Sequence, residues 1–230
     1  SKFHLICVPL IPIPLCVFFL RCPSKGHQEI IFTGVDITNY GADLPGQPTL
    51  GQLCKRVLSH QKTLPRLRIS SIDAVEVDDD FFHVIKNEPR LMPHLHVSLQ
   101  AGANLILKRM KRRHLREDAI AFCQKIRALR PDITFGADII TGFPTETEEH
   151  FQDSVNLVDD CGLTHLHVFP YSPRPETPAA RMPQVAPAVI KKRAQLLREK
   201  GQQALFKYHQ ALIGKTIQVL IEKNNKGHSP

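Results

Sequence analysis

The stretches HLHVSLQAGANLILKRMKRR (94–113) and GADIITGFPTET (136–147) decide the fold of this chain of 230 residues. Each opens with a β-rich segment, passes through a turn of small residues and continues with helical spacing of its apolar residues. The β-rich runs are EIIFTG (29–34), RLRISS (66–71), HLHVSL (94–99), TFGADII (134–140) and HLHVFP (165–170). The segments between them are long enough for crossover helices, which predicts parallel strands and an α/β fold of the barrel type.

Two helix starts and one long helix are predicted around these strands. Thr49 and Gln52 have the spacing of a capping box. The apolar residues on the following helical face are Leu50, Leu53, Cys54, Val57 and Leu58. A second helix is predicted to begin at Thr145, because Glu148 lies three residues further on, and to bury Phe151, Val155 and Val158. A long amphipathic helix is expected at about 187–212.

Basic residues outnumber acidic ones, with 30 Lys and Arg against 22 Asp and Glu, and the formal net charge is +8. The excess is concentrated at 108–116 and at 191–200. A polyanion such as RNA is therefore an expected partner, because side chains that neutralise phosphates release counterions. The alternative is that both groups are solvated helix faces.

The six cysteines stand at positions 7, 16, 22, 54, 123 and 161 and show no paired spacing. Three of them fall within apolar patterns, which favours core thiols in a reducing compartment over a disulfide framework. A metal site formed by Cys7, Cys16 and Cys22 is the less favoured alternative, because prolines and apolar residues flank them.

The first 25 residues differ in composition from the rest of the chain. The run FHLICVPLIPIPLCVFFL (3–20) contains no Lys, Arg, Asp or Glu, and its length suits a short membrane span or the core of a signal peptide. Pro9, Pro12 and Pro14 would disrupt a helix there, and no small-residue cleavage site follows. We expect an unassigned apolar segment at 1–25, with a membrane anchor as the main alternative.

Small and hydroxyl-bearing residues follow every predicted strand. In a parallel α/β barrel the loops at the C-terminal strand ends build the ligand site. Backbone N–H groups open to close approach, together with hydroxyl and carboxylate oxygens, suit a nucleoside, although turns favour the same residues in general. The strand-end loops are 33–36, 70–73, 98–102, 141–144 and 170–172.

Two His-x-His pairs suggest a competing chemistry. His94 and His96, and again His165 and His167, fall on predicted strands, where alternation places both members of a pair on one face. Such pairs bind zinc in barrel hydrolases, and Asp138 is a candidate base. We favour a core or surface role, because the pairs lie near the strand starts, opposite the strand-end loops.

Four runs, taken in order, closely resemble the radical S-adenosylmethionine enzymes that methylthiolate tRNA. They are RLRISSID (66–73), the two runs at 94–113 and 136–147, and HVFPYSPRPETPAARM (167–182). The nearest match is the MiaB-like branch that acts on threonylcarbamoyladenosine. The resemblance implies an incomplete radical-SAM (β/α)6 partial TIM-like barrel.

The resemblance also implies a division into domains. An incomplete radical SAM core is expected at 26–212. Within 213–230, the run GKTIQVLIEK (214–223) resembles the first strand of a TRAM domain, a small RNA-binding β-barrel that would be truncated here. Residues 1–25 are out of register with the family, as if a frameshift or rearrangement had replaced the cluster loop. The barrel is therefore expected to lack its first strand.

A binding site for S-adenosylmethionine follows from the resemblance. The residues that match the family's cofactor cradle are Thr33, Gly34, Asp36, Ser98, Gln100, Asp138, Gly142 and Phe143. Arg109 and Arg112 match a cationic run near the methionine carboxylate, which suits arginine because it pairs bidentately and stays protonated. The alternatives are a helix-capping carboxylate for Asp138 and a tight turn with positive φ for Gly142. The residues expected to contact RNA are Lys108, Lys111 and Arg113.

The cluster motif of the family, Cys-x3-Cys-x2-Cys, is absent from this chain. In the family, such cysteines hold a 4Fe-4S cluster where S-adenosylmethionine is cleaved to a radical, and a second cluster supplies the sulfur. No residue here is therefore assigned as a metal ligand or as catalytic. The resemblance implies tRNA and a flavodoxin-type electron donor as partners, and a cytoplasmic protein without stable membrane association.

Three hypotheses for the function follow. The first is a tRNA methylthiotransferase, of which this chain is an inactive fragment. The second is a non-catalytic remnant that binds RNA or a nucleoside. The third is a membrane-tethered zinc hydrolase.

Overall fold

The computed structural model describes residues 2–7, 27–34, 36–221 and 226–230, and of residues 2–7 the backbone alone. The strands are β1 (Lys2–Cys7), β2 (His27–Thr33), β3 (Arg66–Ile69), β4 (Ser71–Ile72), β5 (His94–Gln100), β6 (Thr134–Thr141), β7 (Leu163–Pro170), β8 (Leu220–Ile221) and β9 (Gly227–His228). The helices are α1 (Leu50–His60), α2 (Asp79–Asn87), α3 (Asn104–Arg109), α4 (Arg116–Leu129), α5 (Glu148–Asp160) and α6 (Pro187–Leu212), with a short 3-10 helix at Pro178–Arg181. All five strands predicted from the sequence are present.

The chain divides into two compact units. Unit 1 comprises Ser1–His96, Ile126–Ile133 and Lys215–Pro230, and unit 2 comprises Val97–Lys125 and Thr134–Gly214. Strands alternate with helices along the chain, which confirms the predicted α/β class.

Unit 1 contains a sheet of three strands in the order β1-β2-β3. Strand β1 runs parallel to β2, with Cys7 opposite Thr33, and β2 runs parallel to β3, with Ile30 opposite Leu67. The expectation that no strand precedes β2 is therefore wrong. Apart from β1, the apolar segment at 1–25 lies outside the described residues, and its assignment stays a prediction.

Helices α1 and α2 pack against each other, and the side chain of Asp78 contacts the first turn of both. The predicted capping box of α1 is confirmed, because the Thr49 hydroxyl accepts from the Gln52 backbone N–H and the Gln52 side chain accepts from that of Thr49. Asp78 caps α2 by accepting from the backbone N–H of Phe81, and it also accepts from that of Gly51 in α1. A Cβ at Gly51 would lie 2.2 Å from the Phe81 nitrogen, so the approach requires glycine.

A buried carboxylate joins β2, β3 and the C-terminal segment within unit 1. Glu29 is fully buried, and its Oε1 accepts from Arg68 Nε at 2.7 Å. Its Oε2 lies 3.1 Å from His228 Nε2 and 3.9 Å from Arg66 Nη1. Arg68 also donates to the carbonyl oxygen of Ser229 at 3.2 Å. The charge of Glu29 is thus compensated inside the protein, as a buried ion requires.

In unit 2 the strands lie in the order β5-β6-β7, with β6 and β7 parallel. Helix α6 packs against β7, and a Cβ at Gly201 would lie 2.9 Å from Leu166 Cβ. The buried residues of α6 are Arg193, Ala194, Leu197 and Gly201. Their spacing places them in one narrow stripe.

The second predicted helix start is wrong by two residues. Helix α5 is capped by Thr147, whose hydroxyl accepts from the backbone N–H of His150, while Thr145 has a φ of +69°. Phe151 and Val158 are buried as expected, but Leu157 is buried where Val155 was predicted. A left-handed residue cannot begin a helix, which explains the displacement.

The C-terminal segment forms little regular structure among the described residues. Strands β8 and β9 are two residues each and pair antiparallel, with Leu220 opposite His228. The start of a TRAM domain at 213–230 stays a prediction. No helix in the described part of the chain combines the length and the apolar character needed to cross a membrane.

Replacement of Glu29 by glutamine is expected to lower the free energy of unfolding by about 3 kcal/mol, because Arg66 and Arg68 keep their buried charges without a counter-ion. Urea denaturation followed by circular dichroism measures the change. Asp132→Asn is the control, since this carboxylate pairs with Arg130 at the surface and contributes little. Equal stability of Glu29→Gln and the wild-type chain would contradict the assignment.

Candidate ligand site at the strand ends of unit 2

The strands of unit 2 have one buried and one less buried face. Val97 and Leu99 of β5 are buried, whereas Ser98 and Gln100 are half-exposed. In β6 the same alternation leaves Asp138 half-exposed between buried neighbours. Ser98, Gln100 and Asp138, which were predicted to bind the cofactor, therefore lie on the less buried faces of their strands.

Asp138 pairs with a residue that the sequence analysis did not assign to the cofactor. His167 is its register partner on β7, and His167 Nδ1 lies 3.1 Å from Asp138 Oδ1. This contact is to a side chain of the neighbouring strand, and the cofactor and helix-cap roles of Asp138 both stay predictions. His167 is the fifth of the eight residues of β7, so its expected place near the strand start is wrong.

The two histidines of β7 have different partners. His165 Nδ1 lies 2.8 Å from the Thr164 hydroxyl, and its ring lies 6.2 Å from that of Tyr208. His167 instead contacts Asp138. His94 and His96 belong to unit 1. Within unit 2, His165 and His167 therefore contact different residues and do not converge as a pair on one metal ion.

The turn after β5 is held in a strained conformation. Gln100 has a φ of +66°, which is uncommon for a residue with a Cβ. Two residues later the backbone N–H of Gly102 donates to the Ser154 hydroxyl at 2.9 Å, and Arg116 donates to its carbonyl oxygen at 3.1 Å. A Cβ at Gly102 would lie 2.4 Å from the Asp153 backbone, so only glycine fits. Strain that the surroundings hold in this way is concentrated at functional sites.

The turn after β6 is closed by a buried carboxylate. Gly142 has a φ of +74°, and its N–H donates to Glu146 Oε2 at 2.8 Å. A Cβ at Gly142 would lie 2.4 Å from the Ile190 side chain of α6. The tight turn that was weighed as the alternative role for Gly142 is present, and it leaves the cofactor role open.

Arg193 of α6 compensates the charge of Glu146. Its Nη1 donates to Glu146 Oε2 at 2.8 Å and to the Glu146 carbonyl at 3.0 Å, and Nη2 donates to Glu148 at 3.0 Å. Burial raises the pKa of the Glu146 carboxyl, and the Gly142 N–H and Arg193 oppose that rise. Neither Glu146 nor Arg193 was predicted from the sequence as part of the site. Arg193 was hidden in a basic group at 191–200, and only its place on the buried stripe of a helix distinguishes it.

Both predicted arginines reach the strand ends. Arg112 Nη2 donates to the carbonyl oxygen of Ser98 at 3.0 Å. Arg109 donates to the hydroxyl of Thr145, a second residue with positive φ. The structure thus brings Ser98, Arg109 and Arg112 to the turns after β5 and β6. Guanidinium groups at this position suit a carboxylate-bearing ligand.

Two hydroxyls beside these turns fit a polar ligand. Thr141 Oγ1 and Tyr171 Oη are buried without a hydrogen-bond partner among the described residues. They lie at the ends of adjacent strands, where the Tyr171 N–H donates to the Thr141 carbonyl at 2.9 Å. Since buried polar atoms are nearly always paired, these atoms are candidates for ligand contact that the sequence analysis missed. Their only sequence signal was their place in the strand-end loops.

Phe143 lies in an apolar cluster below the same turn. Its ring packs edge-on against Tyr171, with 5.3 Å between centroids. The other buried members of the cluster are Ala101, Ala103, Ile106 and Leu107. Phe143 is 6% exposed, so its side chain supports the turn from below. Only the backbone of Phe143 is therefore placed to contact a cofactor.

Three predicted cofactor residues belong to unit 1. Thr33 ends β2 and is half-buried, as is Gly34. Asp36 is exposed, and its Oδ1 accepts from the Thr38 hydroxyl at 3.2 Å. Their role stays a prediction.

The cysteine side chains that the structure describes do not fit an iron–sulfur cluster. Cys54, Cys123 and Cys161 are all buried. Burial raises the pKa of the Cys54 thiol, and cluster ligation requires thiolates. Cys16 and Cys22 lie outside the described residues, as does the side chain of Cys7.

The residues predicted to contact RNA are at the surface. Lys108 lies near the end of α3 and is exposed. Lys111 and Arg113 are exposed in the loop that follows. Their placement suits a polyanion, but that role stays a prediction.

Several curated proteins are similar to this chain. It is 53% identical over 205 residues to the threonylcarbamoyladenosine tRNA methylthiotransferase MtaB of Rickettsia prowazekii (strain Madrid E), covering 89% of this chain and 49% of that protein. The protein of the same name from Thermotoga maritima is 39% identical over 91% of this chain and 48% of its own length. The tRNA-2-methylthio-N(6)-dimethylallyladenosine synthase of Thermus thermophilus is 34% identical over 88% of this chain and 43% of that protein. The chain thus spans about half the length of these relatives.

Solved structures share the fold at low identity. The coproporphyrinogen III oxidase HemN of Escherichia coli, a radical SAM enzyme, matches 83% of this chain and 45% of its own with a TM-score of 0.61 and 16% identity. The radical S-adenosylmethionine methyltransferase TsrM of Kitasatospora setae, solved with cobalamin and a [4Fe-4S] cluster, matches 72% of this chain and 32% of its own with a TM-score of 0.55 and 13% identity. The family model of the Radical SAM superfamily matches residues 19–158. The strand-end turns described above therefore belong to a member of the Radical SAM superfamily.

Proposed function

We propose that this chain carries the S-adenosylmethionine-binding part of a tRNA methylthiotransferase that acts on threonylcarbamoyladenosine. The observation that carries the proposal is the 53% identity to a protein of that name along 89% of this chain. The geometry of unit 2 supports it, because the turns after β5 and β6 offer arginines, hydroxyls and strained backbone to one small polar ligand.

The proposed cofactor residues in unit 2 divide into three roles. Arg109 and Arg112 bind the carboxylate of the methionine moiety, since guanidinium groups pair with carboxylates bidentately. Gln100 presents its side-chain amide and Gly142 its backbone carbonyl from turns with positive φ, since the Gly142 N–H donates to Glu146. The other proposed contacts in unit 2 are Ser98, Asp138 and Phe143. When bound, S-adenosylmethionine supplies radical chemistry in this superfamily.

No catalytic step is assigned to a cluster, because the described cysteines do not fit one. Contacts within the protein nevertheless hold both turns of the site in fixed positions before a ligand binds. The Glu146–Arg193 pair holds the turn after β6, and Ser154 holds the turn after β5, so neither must be ordered on binding. This chain therefore contributes binding and orientation.

The proposed macromolecular partner is tRNA, with Lys108, Lys111 and Arg113 as phosphate contacts. A flavodoxin-type electron donor and a cytoplasmic location are proposed with it. A second candidate function is a non-catalytic protein that binds RNA or a nucleoside. The net charge of +8 and the exposed side chains of Lys108, Lys111 and Arg113 support this second candidate, because cations at the surface attract a polyanion.

Arg112→Ala is expected to weaken S-adenosylmethionine binding about tenfold, because a charge-assisted hydrogen bond to the carboxylate is lost. Equilibrium dialysis with labelled S-adenosylmethionine measures this loss. Arg112→Lys keeps the charge but not the second donor, so its affinity should be intermediate. Exposed Arg181→Ala is the matched control and should bind like the wild-type chain. Equal binding by all four proteins would contradict the assigned role of Arg112.

A chimera tests the proposed reaction. Residues 27–230 replace the aligned segment of the Rickettsia prowazekii relative, and the chimera is expressed in bacteria that lack their own enzyme for this modification. Mass spectrometry of digested tRNA is expected to detect methylthiolated threonylcarbamoyladenosine with the chimera and not with its Arg112→Ala variant. A folded chimera that yields no product, while the intact relative does, would contradict the proposal.

A further inference from the structure

A cavity of about 390 Å³ lies in unit 2 between strand β7 and helix α6. The strand contributes residues 164–168, and the helix contributes Arg198, Gly201, Gln202 and Leu205. The helical residues are spaced i, i+3, i+4 and i+7, so they lie on one face of α6. Within the described ranges no strand pairs with the edge of β7 opposite β6, and we call this cavity the edge groove. Its volume falls in the range of small-molecule sites.

Helix and strand approach each other closely at one point of the edge groove. A Cβ at Gly201 would lie 2.9 Å from Leu166 Cβ, so glycine lets α6 pack directly on β7. Leu166 and Leu205 are only partly exposed. They give the groove an apolar part beside its polar side chains.

Arg198 reaches the edge groove and is anchored there by the backbone. Its Nη2 donates to the carbonyl oxygen of Val168 at 3.2 Å, and it forms no ion pair with any side chain that the structure describes. Arg193 of the same helix differs, because Glu146 and Glu148 compensate its charge. A guanidinium has five N–H donors, so Arg198 keeps enough of them to pair with a carboxylate.

The composition of the edge groove favours an anionic ligand. None of the described residues that line it is Asp or Glu, and Arg198 and Gln202 supply hydrogen-bond donors. His167 also lines the groove, and its Nδ1 lies 3.1 Å from Asp138 Oδ1. A ligand in the groove is therefore next to a residue that is proposed to contact the cofactor.

The two kinds of relatives are named for different groups on adenosine. One kind is named for threonylcarbamoyladenosine and the other for dimethylallyladenosine. The threonylcarbamoyl group ends in a carboxylate, a hydroxyl and a methyl, whereas the dimethylallyl group is an uncharged hydrocarbon. A cation that pairs with the carboxylate would discriminate between the two groups, because the uncharged one leaves it without a partner.

We propose that the edge groove recognises the threonine part of threonylcarbamoyladenosine. Arg198 binds its carboxylate, Gln202 binds its hydroxyl, and Leu166 and Leu205 lie beside its methyl. The inference rests on the proposed function and names the residues that select the substrate. The bond from Arg198 to Val168 reduces the conformational entropy that the guanidinium loses on binding.

The test compares two nucleosides that differ in one charge. Isothermal titration calorimetry measures how the full chain binds threonylcarbamoyladenosine and an analogue with a carboxamide in place of the carboxylate. The wild-type chain is expected to bind the carboxylate form about tenfold more tightly, because only this form makes a charge-assisted pair. Free threonine carries the same carboxylate without the nucleoside, and it should bind more weakly than either.

Arg198→Ala is expected to lose about tenfold in affinity for threonylcarbamoyladenosine and to bind both nucleosides equally, since the preference depends on the guanidinium. Arg198→Lys keeps the charge but not the bidentate geometry, so its preference should be intermediate. Lys192→Ala removes an exposed cation of α6 that does not line the groove, and it should keep the full preference. Thermal unfolding followed by circular dichroism checks that each variant is folded.

Three results would overturn the inference. The first is a wild-type chain that binds the two nucleosides equally or binds neither. The second is a preference that persists in folded Arg198→Ala, which would place recognition of the carboxylate elsewhere. The third is free threonine binding as tightly as the nucleoside, which would make the groove an amino-acid site. The chimera tests the proposed function separately, because its methylthiolated product does not depend on where the carboxylate is recognised.

Discussion

The hydrogen bond from the Gly142 N–H to the buried Glu146 carboxylate is the contact on which the strand-end site of unit 2 depends. It closes the turn after β6, and the same carboxylate receives Arg193 from α6. Thr147, the N-cap of helix α5, directly follows Glu146. A single carboxylate therefore sets the positions of a strand end, a helix start and the first turns of another helix. Because burial opposes its charge, the carboxylate depends on the Gly142 N–H and on Arg193 for compensation.

In unit 1 a second buried carboxylate, that of Glu29, also joins separate segments of the chain. Glu29 is fully buried in β2, Arg66 and Arg68 supply its counter-charges from β3, and His228 Nε2 of the C-terminal segment lies 3.1 Å from its Oε2. In both units a buried carboxylate joins segments that are far apart along the chain. Such pairs give specificity to a packing arrangement that apolar contacts alone would leave less defined.

The fold was largely predictable because local signals carry it. Alternation and β-rich composition located five strands, and the Thr49–Gln52 capping box located the start of α1. The start of α5 was placed at Thr145 because spacing cannot reveal that this threonine has a left-handed backbone. Strand β1 was not predicted because KFHLIC (2–7) opens into the apolar run at 3–20, whose length suits a membrane anchor or signal-peptide core.

The site was predictable only in part, because its supporting residues act over long sequence distances. Ser98, Arg109 and Arg112 are brought to the strand ends as expected. Arg193 lies 47 residues from its partner and resembles any other basic residue of a helix. The unpartnered hydroxyls of Thr141 and Tyr171 become visible only when burial is known.

Few residues of the long helix α6 are constrained by packing. Only four of its 26 residues are buried, and they form one stripe against the rest of unit 2. Selection for folding therefore acts on that stripe and leaves most other positions open to substitution. In related proteins this helix is expected to diverge quickly in sequence while Arg193, Leu197 and Gly201 persist, so an alignment is best anchored on these positions.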